Sequence, residues 1–254
     1  MTNETYTDAQ PIRIFLGYDR RLPIVSQVAV HSMQRHASRP LSVTQLVISA
    51  LQRSQLMTRP LQGNQSTEFS FSRFLVPYLS GYDGWVIFMD NDIVVQADIA
   101  KLWSLRDDRY AVMCVQHDHN PTEDVKFLGQ EQAKYQKKNW SSVMLINTAK
   151  CKALTPEYVN TASGLDLHRF HWLESDDLIG ALPPEWNFLI DYSVGDPADQ
   201  NLLHYTDGGP YYEAYTDCQA AHVWLSERDH MLNADTRSLA EAFPQEFCGA
   251  TSTR

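Results

Sequence analysis

The segment Trp85-Val-Ile-Phe-Met-Asp-Asn-Asp-Ile-Val-Val95 sets two carboxylates, on alternate residues, inside an apolar run. Five apolar residues lead up to Met89 and three more start at Ile93. The run reads as one nearly continuous buried strand, or as two strands broken at the acids. An unpaired buried carboxylate costs several kcal/mol, so a chain that places Asp90 and Asp92 there needs a compensating charge. A divalent cation is the usual one, because hard cations take carboxylate oxygens and bridge to phosphate oxygens. The pair is therefore a candidate metal and phosphate site at the carboxyl end of a strand. The plain alternative is a strand end or turn whose acids are solvated or paired with a nearby arginine.

The rest of the chain bounds what such a site can serve. Its 254 residues suffice for one α/β domain with a few extra elements, and 43% hydrophobic with 20% charged residues is ordinary globular composition. A formal charge of -10 argues against a nucleic-acid or anionic-membrane surface, which needs clustered Lys and Arg. The pairs Arg20-Arg21 and Lys137-Lys138 read as solvated faces, with the option that one of them meets a substrate phosphate. Residues 1–10 are polar, with no apolar core of a signal peptide, and are expected to be loosely held. No apolar stretch approaches the roughly eighteen residues that span a bilayer. Cys114, Cys151, Cys218 and Cys248 lie far apart without Cys-x-x-Cys spacing, which fits thiols better than a disulfide or zinc framework. The expectation is a cytoplasmic protein with no transmembrane segment and no nucleic-acid partner.

Along the chain, Pro11 to Gly17 predicts a first strand ending at Gly17-Tyr18-Asp19, where glycine lets the backbone turn sharply. From Pro23, apolar residues recur at helical spacing: Ile24, Val25, Val28, Ala29 and Met33. Leu41 to Ile48 predicts a second strand, Gln52 to Glu68 a polar, mobile loop, and Ser72 to Leu79 a short helical segment carrying Arg73. Asp98 is placed to cap a short helix over Ile99 to Trp103. Tyr110 to Val115 and Val143 to Ile146 are further β-rich runs, and the alternation predicts an α/β fold with a mostly parallel sheet and flanking helices. A single domain is expected over residues 11–232, with 233–254 as a tail or short helix. Ligands of open α/β sheets bind outside the carboxyl ends of strands, which is where the 17–19 loop and the two acids should lie.

These residues carry a resemblance. Phe71-Ser-Arg-Phe-Leu-Val-Pro77, the apolar strand, Met89-Asp-Asn-Asp-Ile-Val-Val95 and Asp98-Ile-Ala-Lys-Leu-Trp103 are similar to glycosyltransferase family eight. So, in order, are Val143-Met-Leu-Ile-Asn147, Trp186-Asn187 and His204-Tyr-Thr-Asp-Gly-Gly-Pro210, and the first strand with its loop. The likeness runs from about residue 11 to about 212. It implies a GT-A fold of Rossmann-like, mostly parallel type. It also implies retaining transfer of a hexose-type sugar from a nucleotide sugar, most often a UDP-sugar, to a glycan or other hydroxyl acceptor with Mn2+ or Mg2+. Carried over, Asp90, Asp92 and His204 would be the metal ligands. Gly17, Tyr18, Asp19, Arg73, Asp90, Asn91, Ser142, Gly208 and Gly209 would contact the donor, the two last glycines by letting backbone approach a phosphate.

Three departures accompany the likeness. The family usually continues from its C-terminal His to a Lys that touches the diphosphate, whereas here the stretch reads Gly-Gly-Pro-Tyr-Tyr212. Arg20, Arg21 or Arg73 would then have to supply the positive charge. The family's Asn-Ser-Gly or similar before the later strand is Asn139-Trp-Ser-Ser142, and its Asp-Gln-Asp is Ser175-Asp176-Asp177. Asp176 and Asp177 are thus candidate catalytic carboxylates, with Asp176 as nucleophile or stabiliser of an oxocarbenium-like transition state. Equally, either caps a helix starting at Leu178 or binds an acceptor hydroxyl. Two other functions fit parts of the pattern. A catalytically silent nucleotide-sugar-binding protein would keep the site without turnover. A haloacid-dehalogenase-type phosphatase also places Asp-x-Asp after an apolar strand, but leaves the Arg73 helix and His204 unexplained. Gln116-His117-Asp118-His119 reads as a solvated loop rather than a second metal site. Trp172, Trp186, Tyr211, Tyr212 and Trp224 read as core, with some rings available to stack on an acceptor sugar.

Overall fold

A computed structural model describes residues 10–60, 67–117, 125–126, 130–131 and 137–232. The expected tails, apart from Gln10, therefore lie outside the described residues, as do Asp118, His119, Cys248 and part of the loop after Gln52. The strands are β1 (Ile12–Gly17), β2 (Leu41–Leu46), β3 (Trp85–Met89), β4 (Ile93–Val95), β5 (Val112–Cys114), β6 (Val125–Lys126), β7 (Gln130–Glu131), β8 (Val143–Asn147), β9 (Ile179–Ala181), β10 (Phe188–Leu189) and β11 (Leu202–His204).

Six of them form a central sheet in the order β2-β1-β3-β8-β5-β9. Neighbours run parallel except at β8, which is antiparallel to β3 and to β5, so one reversed strand sits in a mostly parallel α/β sheet. A second sheet, β10-β11-β4, pairs β11 with β10 in parallel and with β4 antiparallel. The run Trp85–Val95 therefore breaks at the acids: β3 belongs to one sheet and β4 to the other.

Both faces of the central sheet are covered, which is why its strands read as unbroken apolar runs. Phe15, Val86 and Phe88 point to one core with Phe69, Phe74 and Leu75. Their strand neighbours Ile14, Leu16, Ile87 and Met89 point to the other, with Ala29, Met33, Leu102 and Trp103. A third cluster under β4 joins Val25 and Val28 of α1 (Pro23–Arg35) to Tyr205 and Trp224.

Several local expectations change. The second strand stops at Leu46, and Ile48–Arg53 forms α2 instead of continuing into strand and loop. Ser72–Leu75 is a 3-10 turn that runs into α3, Val76–Leu79. Asp98 does cap α4 (Ile99–Ser104), accepting from the Ala100 N–H at 2.9 Å. Gly17 is the last residue of β1 rather than a sharp turn. A Cβ there would stand 2.6 Å from the Phe69 ring, so the glycine serves close packing. Among the described residues Cys114, Cys151 and Cys218 are free thiols, and no helix is long and apolar enough to cross a membrane.

Candidate functional site

The break between β3 and β4 is held from several sides. The Asp90 N–H donates to Ser142 O at 2.8 Å, tying the acidic turn to the start of β8. The Tyr205 N–H donates to Asp92 O at 2.9 Å, tying it to the end of β11. Asn91 sends its amide to the Ser26 hydroxyl of α1 at 2.9 Å, and Ser32 of the same helix accepts the Val95 N–H at 3.0 Å. The side chain of Asn91, one of the expected donor contacts, is buried against the helix. With Asn91 pinned inward, the alternating side chains of Asp90 and Asp92 are left to the cleft.

Asp90, Asp92 and His204 each offer one ligand atom, all within 4.8 Å of one another. The side chains of Asp90 and Asp92 are 13% and 17% exposed, and that of His204 is 2% exposed. Arg73, itself buried, sits with Nη1 2.9 Å from Asp90 Oδ1 and donates from the same nitrogen to Ser141 O at 2.9 Å. Its guanidinium lies 5.1 Å from the Phe88 ring centroid and 5.5 Å from that of Phe69. The nearby-arginine alternative for the acids thus holds for Asp90. Arg73 Nη2 also donates to Asp90 Oδ2 at 3.4 Å, whereas neither Asp90 Oδ1 nor Asp92 Oδ1 accepts a hydrogen bond although both are buried.

Electrostatics follow from this burial. Desolvation pushes the Asp90 carboxyl up to about 6, against the opposing pull of Arg73 and with the charge of Asp92 adding to it. For His204 burial acts to lower the imidazole, but the facing Asp92 and Asp90 outweigh it and raise it above its ordinary value. His204 Nε2 lies 3.4 Å from Asp92 Oδ1. Its Nδ1 is 2.9 Å from Asn187 Oδ1, and the Asn187 amide nitrogen donates to Ser142 Oγ at 3.0 Å. Two carboxylate oxygens without donors and an imidazole nitrogen facing them form an oxygen-plus-nitrogen set that suits a divalent cation.

The other expected residues fall into place unevenly. Leu16 pairs with Met89, so the 17–19 loop abuts the acidic turn. Asp19 is buried and accepts from Arg21 N, Nε and Nη2 and from Glu68 N, which holds its carboxyl below the usual range despite burial. Asn139, at φ 64°, lies in the left-handed region that Asn tolerates, and the turn there aims Ser141 O and Ser142 O at Arg73 and Asp90. Ser142 is buried within the Asn187 network. Gly208 and Gly209 make room for rings: added Cβ atoms would meet Tyr215 at 3.0 Å and Tyr211 at 2.6 Å.

Asp176 and Asp177 are not brought into the acidic group. Asp176 is 73% exposed and pairs with Lys137 Nζ at 2.5 Å, while Asp177 accepts from the Ser175 hydroxyl at 3.1 Å. Ser175, not either aspartate, caps the short 3-10 turn Asp176–Leu178. Lys137, with a side chain 12% exposed, and Lys138, at 4%, are not a solvated face. Trp172, Trp186 and Trp224 are core, whereas Tyr211 and Tyr212 stay partly open. Sequence reasoning missed Asn187 as the partner of His204, although Trp186-Asn187 flagged the position, and missed Ser26, a buried polar residue on the apolar face of α1.

Comparisons with known proteins agree with this architecture. The glycosyl transferase family 8 model matches residues 22–208. Protein CDI of Arabidopsis thaliana is 46% identical over 233 residues, which is 89% of this chain and 90% of the relative. Among solved structures, the apo form of the glycosyltransferase GlyE of Streptococcus pneumoniae TIGR4 superposes with a TM-score of 0.60 at 16% identity. That likeness covers 91% of this chain and 64% of GlyE, so the chain spans less than two thirds of that enzyme. The galactosyltransferase LgtC, solved with donor and acceptor sugar analogs, gives 0.56 at 12% identity over 85% of this chain and 95% of LgtC. At these identities the solved structures speak for the GT-A fold alone. The family match and the plant relative together establish that the chain belongs to glycosyl transferase family 8.

Proposed function

We propose that this protein is a metal-dependent glycosyltransferase that moves a hexose-type sugar from a nucleotide sugar, a UDP-sugar in the first instance, to a glycan or other hydroxyl acceptor. The observation that carries this reading is the Asp90, Asp92 and His204 group, with two buried carboxylate oxygens that lack hydrogen-bond donors. These three residues would hold Mn2+ or Mg2+, whose chemistry is to neutralise charge on the departing diphosphate. Arg73 holds Asp90 in position and keeps a positive charge beside the pair. Asn187 Oδ1 faces His204 Nδ1, and with the proton on that nitrogen Nε2 would present its lone pair to the cation. The 17–19 loop beside Met89 would receive the nucleoside. Support for retention comes from the family resemblance. Asp176, solvent-facing and paired with Lys137, suits an acceptor hydroxyl better than a buried nucleophile.

Calorimetric titration of UDP and GDP with and without manganese, on wild type and Asp92→Asn, tests the reading. Manganese-dependent nucleotide binding in the wild type that is lost in the variant is the expected result. Failure of both nucleotides to bind would overturn it. The second reading, a silent nucleotide-sugar-binding protein, is favoured by one observation: residues 205–215 contain no Lys or Arg. Slow manganese-dependent hydrolysis of a UDP-sugar would exclude that alternative.

A further inference from the structure

A nucleoside diphosphate carries more negative charge than one divalent cation cancels, so a site that releases it gains from a further cation. The chain after His204 supplies none as far as Tyr215. Arg73 is buried and pairs with Asp90. Arg20 is turned to Glu68, with Nε 2.7 Å from Oε1, and Lys137 is engaged by Asp176 and by Arg169 O.

Arg21 differs from these in how it is held. Its Nε and Nη2 grip the two oxygens of Asp19 at 2.8 and 2.5 Å. Asp19 is fixed in turn by the backbone N–H groups of Arg21 and Glu68. The planar fork is thereby oriented before any ligand arrives, which lowers the entropy lost on binding. Yet the Arg21 side chain stays 57% exposed. Tyr212 relates it to the acidic group. The Tyr212 ring stands 3.1 Å from where a Cβ on Gly208 would lie. Its hydroxyl is near enough to Arg21, Asp19 and Asp92 to feel all three charges. Arg21 follows the strand β1, whose Leu16 pairs with Met89 beside Asp90, and Tyr212 packs on Gly208 in the chain that follows His204.

We infer that Arg21, oriented by Asp19 and flanked by Tyr212, contacts the diphosphate of the nucleotide donor and offsets the charge that grows as it leaves. This rests on the nucleotide-sugar reading above. The test is calorimetry with manganese and whichever of UDP or GDP binds the wild type, on Arg21→Ala, Arg21→Lys, Asp19→Asn, the Asp19→Asn/Arg21→Ala double variant, and Arg20→Ala as control.

A lost charge-assisted contact predicts affinity about 10- to 100-fold weaker in Arg21→Ala. Arg21→Lys, which keeps the charge without the fork, should be intermediate, and Arg20→Ala unchanged. The double variant separates contact from indirect effects. If Arg21 acts only through Asp19, the double variant is no weaker than Asp19→Asn alone; if Arg21 touches phosphate, the double variant is weaker than Asp19→Asn. Wild-type affinity in Arg21→Ala, or a double variant no weaker than Asp19→Asn, overturns the inference while leaving the nucleotide reading intact. Absence of any nucleotide binding to wild type removes both.

Discussion

Replacing Asn187 by Leu tests how the imidazole of the candidate metal site is set. The Asn187 side chain is fully buried. Its nitrogen faces Ser142 Oγ at 3.0 Å and Asn139 O at 3.4 Å, two acceptors that fix the amide orientation and leave Oδ1 facing His204 Nδ1 at 2.9 Å. Leucine keeps the volume but removes the acceptor, leaving an Nδ1–H in a dry site. An orphaned buried donor costs about 1–3 kcal/mol. At roughly 2–4 °C per kcal/mol for a chain of this size, the thermal midpoint should fall by about 2–12 °C. The proton is also free to move to Nε2, which then cannot ligate. Loss of such a supporting hydrogen bond weakens metal binding by about 10- to 100-fold. Manganese affinity, read from the electron-paramagnetic signal of free Mn2+, should fall by that factor in Asn187→Leu. A variant with a lowered midpoint but wild-type manganese affinity would falsify the claim that Asn187 sets the imidazole.

Two further outcomes follow from charge burial. Because desolvation lifts Asp90 to about 6, protons compete with the cation near neutrality, and manganese affinity should drop steeply as pH falls below about 6; a flat profile from pH 7.5 to 5 would exclude Asp90 as a ligand. Glu227, on the helix Ala221–Leu232, accepts from His31 Nδ1 at 2.6 Å and Arg35 Nη2 at 2.6 Å of α1. Burial alone would raise its carboxyl, but the Arg35 and His31 hydrogen bonds outweigh it and hold it below its ordinary value. A depressed carboxyl stabilises the fold above its unfolded value and loses that contribution as pH falls through the folded one. Glu227→Gln should therefore lower the thermal midpoint at pH 7, with the gap to wild type closing in acid; a constant gap would contradict this.

The sheet and the acidic pair were legible because their signals are local. Alternating faces that are both buried give continuous apolar runs such as Val86 to Met89, and Asp98 before an apolar turn reads as a cap. Helix α2 was hidden because no side chain caps it and its only buried residues are Ile48 and Leu51. The division of Trp85–Val95 between two sheets was left open, since both outcomes bury the same residues. The rings that crowd Gly17, Gly208 and Gly209 were not legible because they come from elsewhere in the fold, or from folding back of the chain. The same holds for the Asp19 network, where Glu68 is a partner from a distant turn. Lys137 and Lys138 looked like surface because the segment that covers Lys137, at Arg169 and Asp176, is more than thirty residues away.

Among the described residues the two sheets share no ladder with each other, yet Asp90 hangs from the end of β3 in one and His204 ends β11 in the other. The spacing of the three ligand atoms therefore gauges how far apart the sheets stand. Separating the sheets would part Asp90 from His204, and a cation seated there would act as a rivet across a seam tied near the acids by backbone bonds such as Tyr205 N to Asp92 O. Loading the site would, by that construction, also stiffen the molecule.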